Sequence, residues 1–552
     1  MSLQPEFAFG VPVMTRQVAE AAFPKGNPYM KMRDQLGVLF TDPQFADLFP
    51  PQGQPAEAPW RLATVTLFQF VEGLTDRQAA EAVRARLDWK YALGLELGDP
   101  GFDASVLCEF RSRLLNAEAE ARLFDLLLQQ FAQHHLLKER GQQRTDSTHV
   151  LARVRALSRL ECLGETLRYA LNCLAPLAPE WMLATLPPDW WDRYGCRLDA
   201  YRLPKSQTQR DAWALQVGAD GRSLLQALLD PRVPASLREE EAVQILGQVW
   251  IQNFLVEAGQ WRLRTEAEAP PCSLRIKSPY DVQARYSTKR QTHWTGYKVH
   301  LSETCDPATP SLITQVLTTP STTDDSRVLD TIHTRMAKNK CLPSEHVVDE
   351  GYLQASALVE SQQKYGIRLL GPLPKDCSRQ AHAQQGFEVA QFTLDWQQQR
   401  ALCPAGEWSA PFTPMQNALG KPRLVAAFAT EVCRGCPHFA ACTQSKKTGR
   451  ILYLHPQAEQ EALAAARRYQ HSDAFRKRYA VRAGIEGTLS QGVRGFGLRQ
   501  CRYIGEAKTL LQHLMTAAAM NFWRVYAWFS ECPRAKTRIS PFSRLKPAMG
   551  SV

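Results

Sequence analysis

Three acids in this chain of 552 residues stand where carboxylates could meet. Asp146 falls in TDSTHV, a short strand-like segment at residues 145–150. Asp349 follows the apolar run His346–Val348 and precedes the turn residues Gly351 and Tyr352. Glu486 lies in a helical stretch, YAVRAGIEGTLSQ, at residues 479–491. Open α/β sheets gather ligands beyond the carboxyl ends of their strands, which suits Asp349 for chemistry. Carboxylates of this kind serve phosphoryl transfer, in which two divalent ions about 3.5–4 Å apart activate an attacking oxygen and stabilise the leaving one. Mg2+ takes hard oxygen ligands and keeps positions open for water and phosphate, so few carboxylates are needed. Without a cation such acids repel, and one of them takes up a proton more readily. Taken singly, an acid at a strand end is more often structural or simply exposed.

Around Glu486 the spacing adds to the case. Tyr479, Arg482 and Glu486 recur at i, i+3 and i+7, which puts them on one helical face. An acid for metal beside a guanidinium and a phenol that reach phosphate oxygens would grip a scissile strand. The following RGFGLRQCRY supplies Arg494, Arg499 and Arg502, with glycines that permit close backbone approach; a solvated basic surface is the other reading. Asp281 rivals Asp146 as the first acid, but Arg285 and Lys289 follow it at helical spacing and would pair with it.

Cys403, Cys433, Cys436 and Cys442 make a second constellation, C…C-x-x-C-x5-C. Four thiolates hold zinc tetrahedrally, and C-x-x-C is a common half-site. Cys403 is distant and the last spacing is loose, so free thiols on a small strand-rich insertion stand as the alternative to structural Zn2+.

The elements that must carry these groups alternate along the chain. Residues 1–140 read as a helical domain. Apolar residues recur at helical spacing from Trp60 to Gly73, and Thr75 opens DRQAAEAVRARLDWKYAL as the next helix. A turn leads to a helix over Ser105–Leu114 bearing Arg111 and Arg113. A short basic helix after a turn is what a helix-turn-helix reader of DNA needs, and a plain helical bundle with solvated arginines is equally compatible. From 141 to 530 strand-like segments (TDSTHV, TGYKVHLSET, SLITQVLTTP, SEHVVDEGY, GIRLLGPL) and a helix over Asp324–Asn339 indicate a mixed α/β sheet. It is interrupted by a helical insertion at about 152–275 and by the cysteine-bearing segment at about 400–447. Residues 531–552 form a tail.

In combination, TDSTHV, SPYDVQARYSTKRQTHWTGYKVHLSETCD, DEGY and YAVRAGIEGTLSQGVRGFGLRQCRYIGEAKT resemble bacterial insertion-sequence transposases of the DDE type, specifically the insertion-sequence 1182 family. LTDRQAAEAVRARLDWKYALGLEL and FDASVLCEFRSRLL resemble the N-terminal domain of the same family, so the likeness covers nearly the whole chain. The resemblance implies an RNase H-like α/β catalytic core with Asp146, Asp349 and Glu486 as the three acids. It also implies dependence on Mg2+ or Mn2+, cutting and joining of DNA at terminal inverted repeats and target DNA, and a homodimer on DNA. Related transposases carry a lysine seven residues after the glutamate; here that position is Val493, with Arg494 beside it. A nuclease that cuts without joining, and a non-catalytic regulator derived from a transposase, share most of these features.

Composition agrees with this class. A hydrophobic fraction of 44% and a charged fraction of 22% are those of a folded chain, and a net charge of +11 favours a polyanionic partner. The opening residues lack a basic start followed by an apolar stretch, no run of about 20 apolar residues suits a bilayer, and scattered cysteines fit a reducing compartment. The expected location is cytoplasmic. No H-E-x-x-H motif of a zinc hydrolase occurs.

Overall fold

In the computed structural model, which describes residues 2–5, 9–383, 385–445, 447–533 and 541–544, the chain divides into two compact units. One comprises Met1–Arg113, Pro310–Leu312 and Ala518–Val552, and the other Leu114–Thr309 and Ile313–Ala517. The helical N-terminal unit therefore closes well before residue 140 and takes in chain that follows residue 517. Most of the expected tail at 531–552 lies outside the described residues.

The first unit is helical. Helix α1 (Asp76–Ala85) starts on a capping box, in which Thr75 and Gln78 satisfy each other's backbone N–H groups. Helix α2 (Leu87–Leu93) is separate from it, although the apolar periodicity runs through both. The break is at Arg86, whose backbone is extended and whose guanidinium is held 2.6 Å from both Glu72 and Asp88. Those two ion pairs reward the interruption. Helix α3 (Ala104–Asn116) follows a turn. Trp60, Phe68, Trp89 and Phe110 fill the core, and Phe522 packs its ring against Phe68 and Tyr29.

The second unit is built on a six-stranded mixed sheet. Its strands are β1 (Gln142–Leu151), β2 (Arg285–Lys289), β3 (Thr292–Thr304), β4 (Ile313–Pro320), β5 (Glu345–Val347) and β6 (Arg368–Leu370), in the order β2-β3-β1-β5-β6, with β4 also paired to β3. The β1–β4 strands pair antiparallel, while β1-β5 and β5-β6 are parallel. Helix α4 (Leu329–Lys338) covers one face with Ile332 and Met336. Gly296 in β3 has φ +152°, and a Cβ there would run into the backbone of Val150–Ala152, so only glycine lets the end of β1 lie so close. The helical insertion has its own core, including Leu163, Leu167, Leu246, Val249 and Trp250. Five short strands carry the cysteine segment around Phe392, Ala426, Phe428 and Leu452.

Between residues 470 and 530 the chain forms three α-helices, α5 (Asp473–Tyr479), α6 (Ala483–Phe496) and α7 (Glu506–Phe529). Among the described residues no helix is long and apolar enough to cross a membrane.

Candidate active site

The parallel register of β1 with β5 pairs Arg144 with Val347. Continued two residues further, it sets Asp146 beside Asp349, just past the end of β5. Two acids some 200 positions apart are thus neighbours because of sheet topology. Glu486 arrives from the other side, in the first turn of α6.

Arg482 links all three. Its Nη2 lies 2.8 Å from Asp146 Oδ2 and 3.6 Å from Asp349 Oδ2, and its Nη1 lies 3.1 Å from Glu486 Oε1. Exposure rises outward through the cluster: the side chains of Arg482 and Asp146 are 15% and 16% exposed, those of Asp349 and Glu486 45% and 66%. Burial raises the pKa of Asp146, the Ser147 backbone N–H and Arg482 pull it down, and Asp349 pushes it up; the net direction is upward. Burial lowers the pKa of Arg482, but the acids around it outweigh that and hold it above its ordinary value. Arg482 Nε is buried and has no hydrogen-bond partner among the described residues.

The turn that delivers Arg482 is a 3-10 segment, Ala480–Arg482, between α5 and α6, so the Tyr479–Glu486 motif spans a helix break instead of one continuous helix. A buried pair fixes it. Arg144 on β1 bonds Glu303 on β3 at 2.6 Å, donates to the Val481 carbonyl, and passes α6 at Gly484, where a Cβ would collide with its guanidinium. Thr488 of α6 donates to the same Glu303. Tyr479 stacks on Phe475, and its phenol is pushed up to about 12, first by burial and then by the three acids. Sequence reasoning missed Arg144 and Glu303. Their signal, two opposite charges at strand positions of buried register, appears only once the strands are paired.

Asp281 is excluded from this cluster. It is buried and accepts hydrogen bonds from the Tyr297 hydroxyl at 2.7 Å and the Ala284 N–H at 3.2 Å, which makes it a structural acid. Asp325, unremarked in the sequence, sits nearby, accepting from Ser147 Oγ and from Lys298.

The basic residues separate. Gly492 and Gly495 lie within α6 and do not turn the backbone; the turn comes at Gly497, in left-handed conformation. Arg494 is exposed on the last turn, some 12 Å along the helix axis from Glu486 at about 1.5 Å per residue. Arg499 comes back to β1 and donates from Nε to Thr148 Oγ1 at 2.8 Å. Val493 is half-buried and Arg502 is exposed.

In the first unit, Arg111 is buried and pairs with Asp76 at 2.6 Å while donating to Gln69. A guanidinium so enclosed holds these helices together through a core ion pair. Arg113 donates to the Leu48 carbonyl and lies over the Phe49 ring.

Cys403, Cys433, Cys436 and Cys442 line one small cavity of about 40 Å3. Cys403 and Cys433 accept hydrogen bonds from the backbone N–H groups of Glu407 and Arg450. Burial raises the Cys442 thiol, and the other three cysteines add to the rise. None of the four forms a disulfide with a described residue. Among the described residues no group of three or more His, Cys, Asp or Glu side chains is arranged to hold a metal ion as it stands. At the acids, Arg482 fills the space between the carboxylates.

Two family models match the chain. Residues 402–526, which include Arg482 and Glu486, match one described as a transposase DDE domain, and residues 17–113 match one described as a transposase domain (DUF772). Asp146 and Asp349 lie outside both segments. No curated protein and no solved structure matches the chain.

Proposed function

We propose that the protein is a DDE transposase of the insertion-sequence 1182 type that cuts and joins DNA strands at the ends of a mobile element, a reading supported by the matches of residues 17–113 and 402–526 to transposase-domain models. The observation that carries this reading is the convergence of Asp146, Asp349 and Glu486, from two strands and a distant helix, on one guanidinium. A mixed sheet flanked by helices, with acids on adjacent parallel strands, is the arrangement expected of an RNase H-like core.

The donor set fits a hard divalent cation, since it consists of three carboxylates already drawn within 4 Å of a single positive charge. Asp146, Asp349 and Glu486 would hold Mg2+ or Mn2+, which supplies Lewis-acid polarisation of the phosphodiester and activation of the attacking oxygen. The protein's own groups do the rest. The Ser147 N–H orients Asp146. Arg482 exchanges carboxylates for a phosphate oxygen, which its planar fork binds bidentately. The Arg144–Glu303 pair keeps α6 in place while this exchange occurs. Tyr479 stays neutral and donates a hydrogen bond near the strand. The helical first unit recognises the terminal inverted repeats, and two copies act on paired ends.

The test is incubation of purified protein with the DNA that flanks its gene, with and without Mg2+. Strand cuts followed by joined products support the proposal. Cuts without joining indicate a nuclease, and binding without cuts indicates a regulator.

A further inference from the structure

A second cavity opens one residue along β1 from Asp146. It measures about 170 Å3, and Thr148, His149, Lys289, Trp294, Lys298 and Arg499 line it, together with Ser147. That is below the roughly 300–1,000 Å3 of pockets that enclose drug-sized ligands, and it suits a group the size of a phosphate with its water. Its lining includes three cations and no carboxylate.

Those cations differ in how far their charge is spent. Lys298 is committed to Asp325 at 3.0 Å and to the Thr323 carbonyl at 2.7 Å. Lys289 makes no ion pair with any described residue. Arg499 uses only its Nε, on Thr148, leaving both Nη groups without a hydrogen bond among the described residues. The wall is rigid: Trp294 is buried, ties its Nε1 to the Tyr297 carbonyl, and has the His149 ring 5.5 Å away.

The cavity adjoins the acids along β1, since Ser147 and Thr148 line it next to Asp146. His149 has a lowered pKa, first through burial and then through Arg499 and Lys289, so two positive fields overlap there. Thr148 is two residues from Asp146, about 7 Å along a strand. Phosphates recur about every 3.4 Å along the axis of a DNA strand, so a strand with its scissile phosphate at the acids brings a neighbouring phosphate to this opening.

We propose that the cavity is an anion subsite, in which Lys289 and Arg499 hold a backbone phosphate of the DNA strand next to the scissile one. The identity of the strand rests on the transposase reading; the affinity for an anion rests on the cavity itself. Arg499 reaches this position through the turn at Gly497, and it provides near the acids a cation that Val493 cannot.

The experiment uses the full-length protein in Ca2+ or EDTA, so that binding is read without turnover. The ligand is a duplex from the DNA flanking the gene, its cut site mapped with wild-type protein in Mg2+. Lys289→Gln and Arg499→Gln, singly and together, are compared with Arg499→Lys, which keeps the charge should loss of the Thr148 contact disturb the fold. For each lost phosphate contact the slope of log affinity against log salt should fall by about 0.9. A neutral methylphosphonate at one position near the cut should weaken wild-type binding about tenfold and leave the double variant unaffected. Wild-type affinity and slope in a folded double variant, or equal sensitivity of both proteins to every methylphosphonate, would overturn the subsite. Saturable binding of inorganic phosphate, lost in the double variant while the DNA slope is unchanged, would also overturn it by assigning the cavity to free phosphate. Either result alongside normal cutting by wild type leaves the transposase reading intact. Failure of wild type to cut any flanking DNA, with the salt-slope loss preserved, breaks that reading and keeps the subsite.

Discussion

Arg482 donates to Asp146 at 2.8 Å, although 336 positions separate them in the chain. The same guanidinium reaches the other two acids, so one side chain gathers the cluster and offsets its mutual repulsion. Two consequences concern stability, and both can be measured without DNA.

Ionised Asp146 should make the fold less stable. Burial outweighs Arg482 and the Ser147 N–H, so its folded-state pKa lies above the unfolded value of about 3.9. Stability from this group is therefore fully present below the unfolded pKa and is lost as pH rises through the folded one. Asp146→Asn should be the more stable protein at neutral pH in metal-free buffer, and its advantage should shrink as the solution becomes acidic. Urea unfolding of both proteins across that range checks this. A less stable Asn variant at neutral pH would mean that the ion pair with Arg482 dominates.

Removing one partner of the Arg144–Glu303 pair should cost about 3–5 kcal/mol, because an uncompensated buried charge remains. Arg144 is 13% exposed and Glu303 fully buried. Arg144→Met should unfold at markedly lower urea and also free the 3-10 turn that carries Arg482. An unchanged midpoint would show that the turn is held by other contacts.

Much of this was legible before the strands were paired. Asp146, Asp349 and Glu486 stood out by their flanks, and the strands and helical insertion by periodicity. The break at Arg86 was not, since apolar spacing continues through it and only the ion pairs with Glu72 and Asp88 reveal it. Nor was the turn at Ala480–Arg482, where i, i+3, i+7 spacing suggests an unbroken helix. The cations at 289, 298 and 499 are scattered in the sequence and meet only because β2 pairs with β3, β3 pairs with β1, and the loop after α6 returns to β1. Arg111 looked like a surface base because its partner Asp76 sits 35 positions away.

That pairing yields a prediction for the first unit. Arg111→Ala should lower the melting temperature while leaving the preference for terminal-repeat over random DNA intact. Loss of that preference with unchanged stability would restore Arg111 to the DNA contact expected of a recognition helix.

The four cysteines are expected to bind one structural zinc. They share a cavity, and two of their sulfurs already accept backbone hydrogen bonds of the kind that stabilise thiolates. Burial and proximity keep the Cys442 proton on, so binding should release protons and weaken in acid. Metal analysis of protein purified without chelator should find close to one zinc per chain, and less in Cys436→Ser. Folded, zinc-free wild-type protein with full activity would end the idea.

The proposed catalytic trio is tested most directly by single-turnover cleavage of flanking DNA in Mg2+ by Asp146→Ala, Asp349→Ala, Glu486→Ala and Asp281→Ala, each first shown to be folded and to bind the DNA. The first three should lose cleavage and strand joining while still binding, and Asp281→Ala, if it folds, should still cut. Normal cutting by Asp146→Ala together with an inactive but folded Asp281→Ala would contradict the account at its centre.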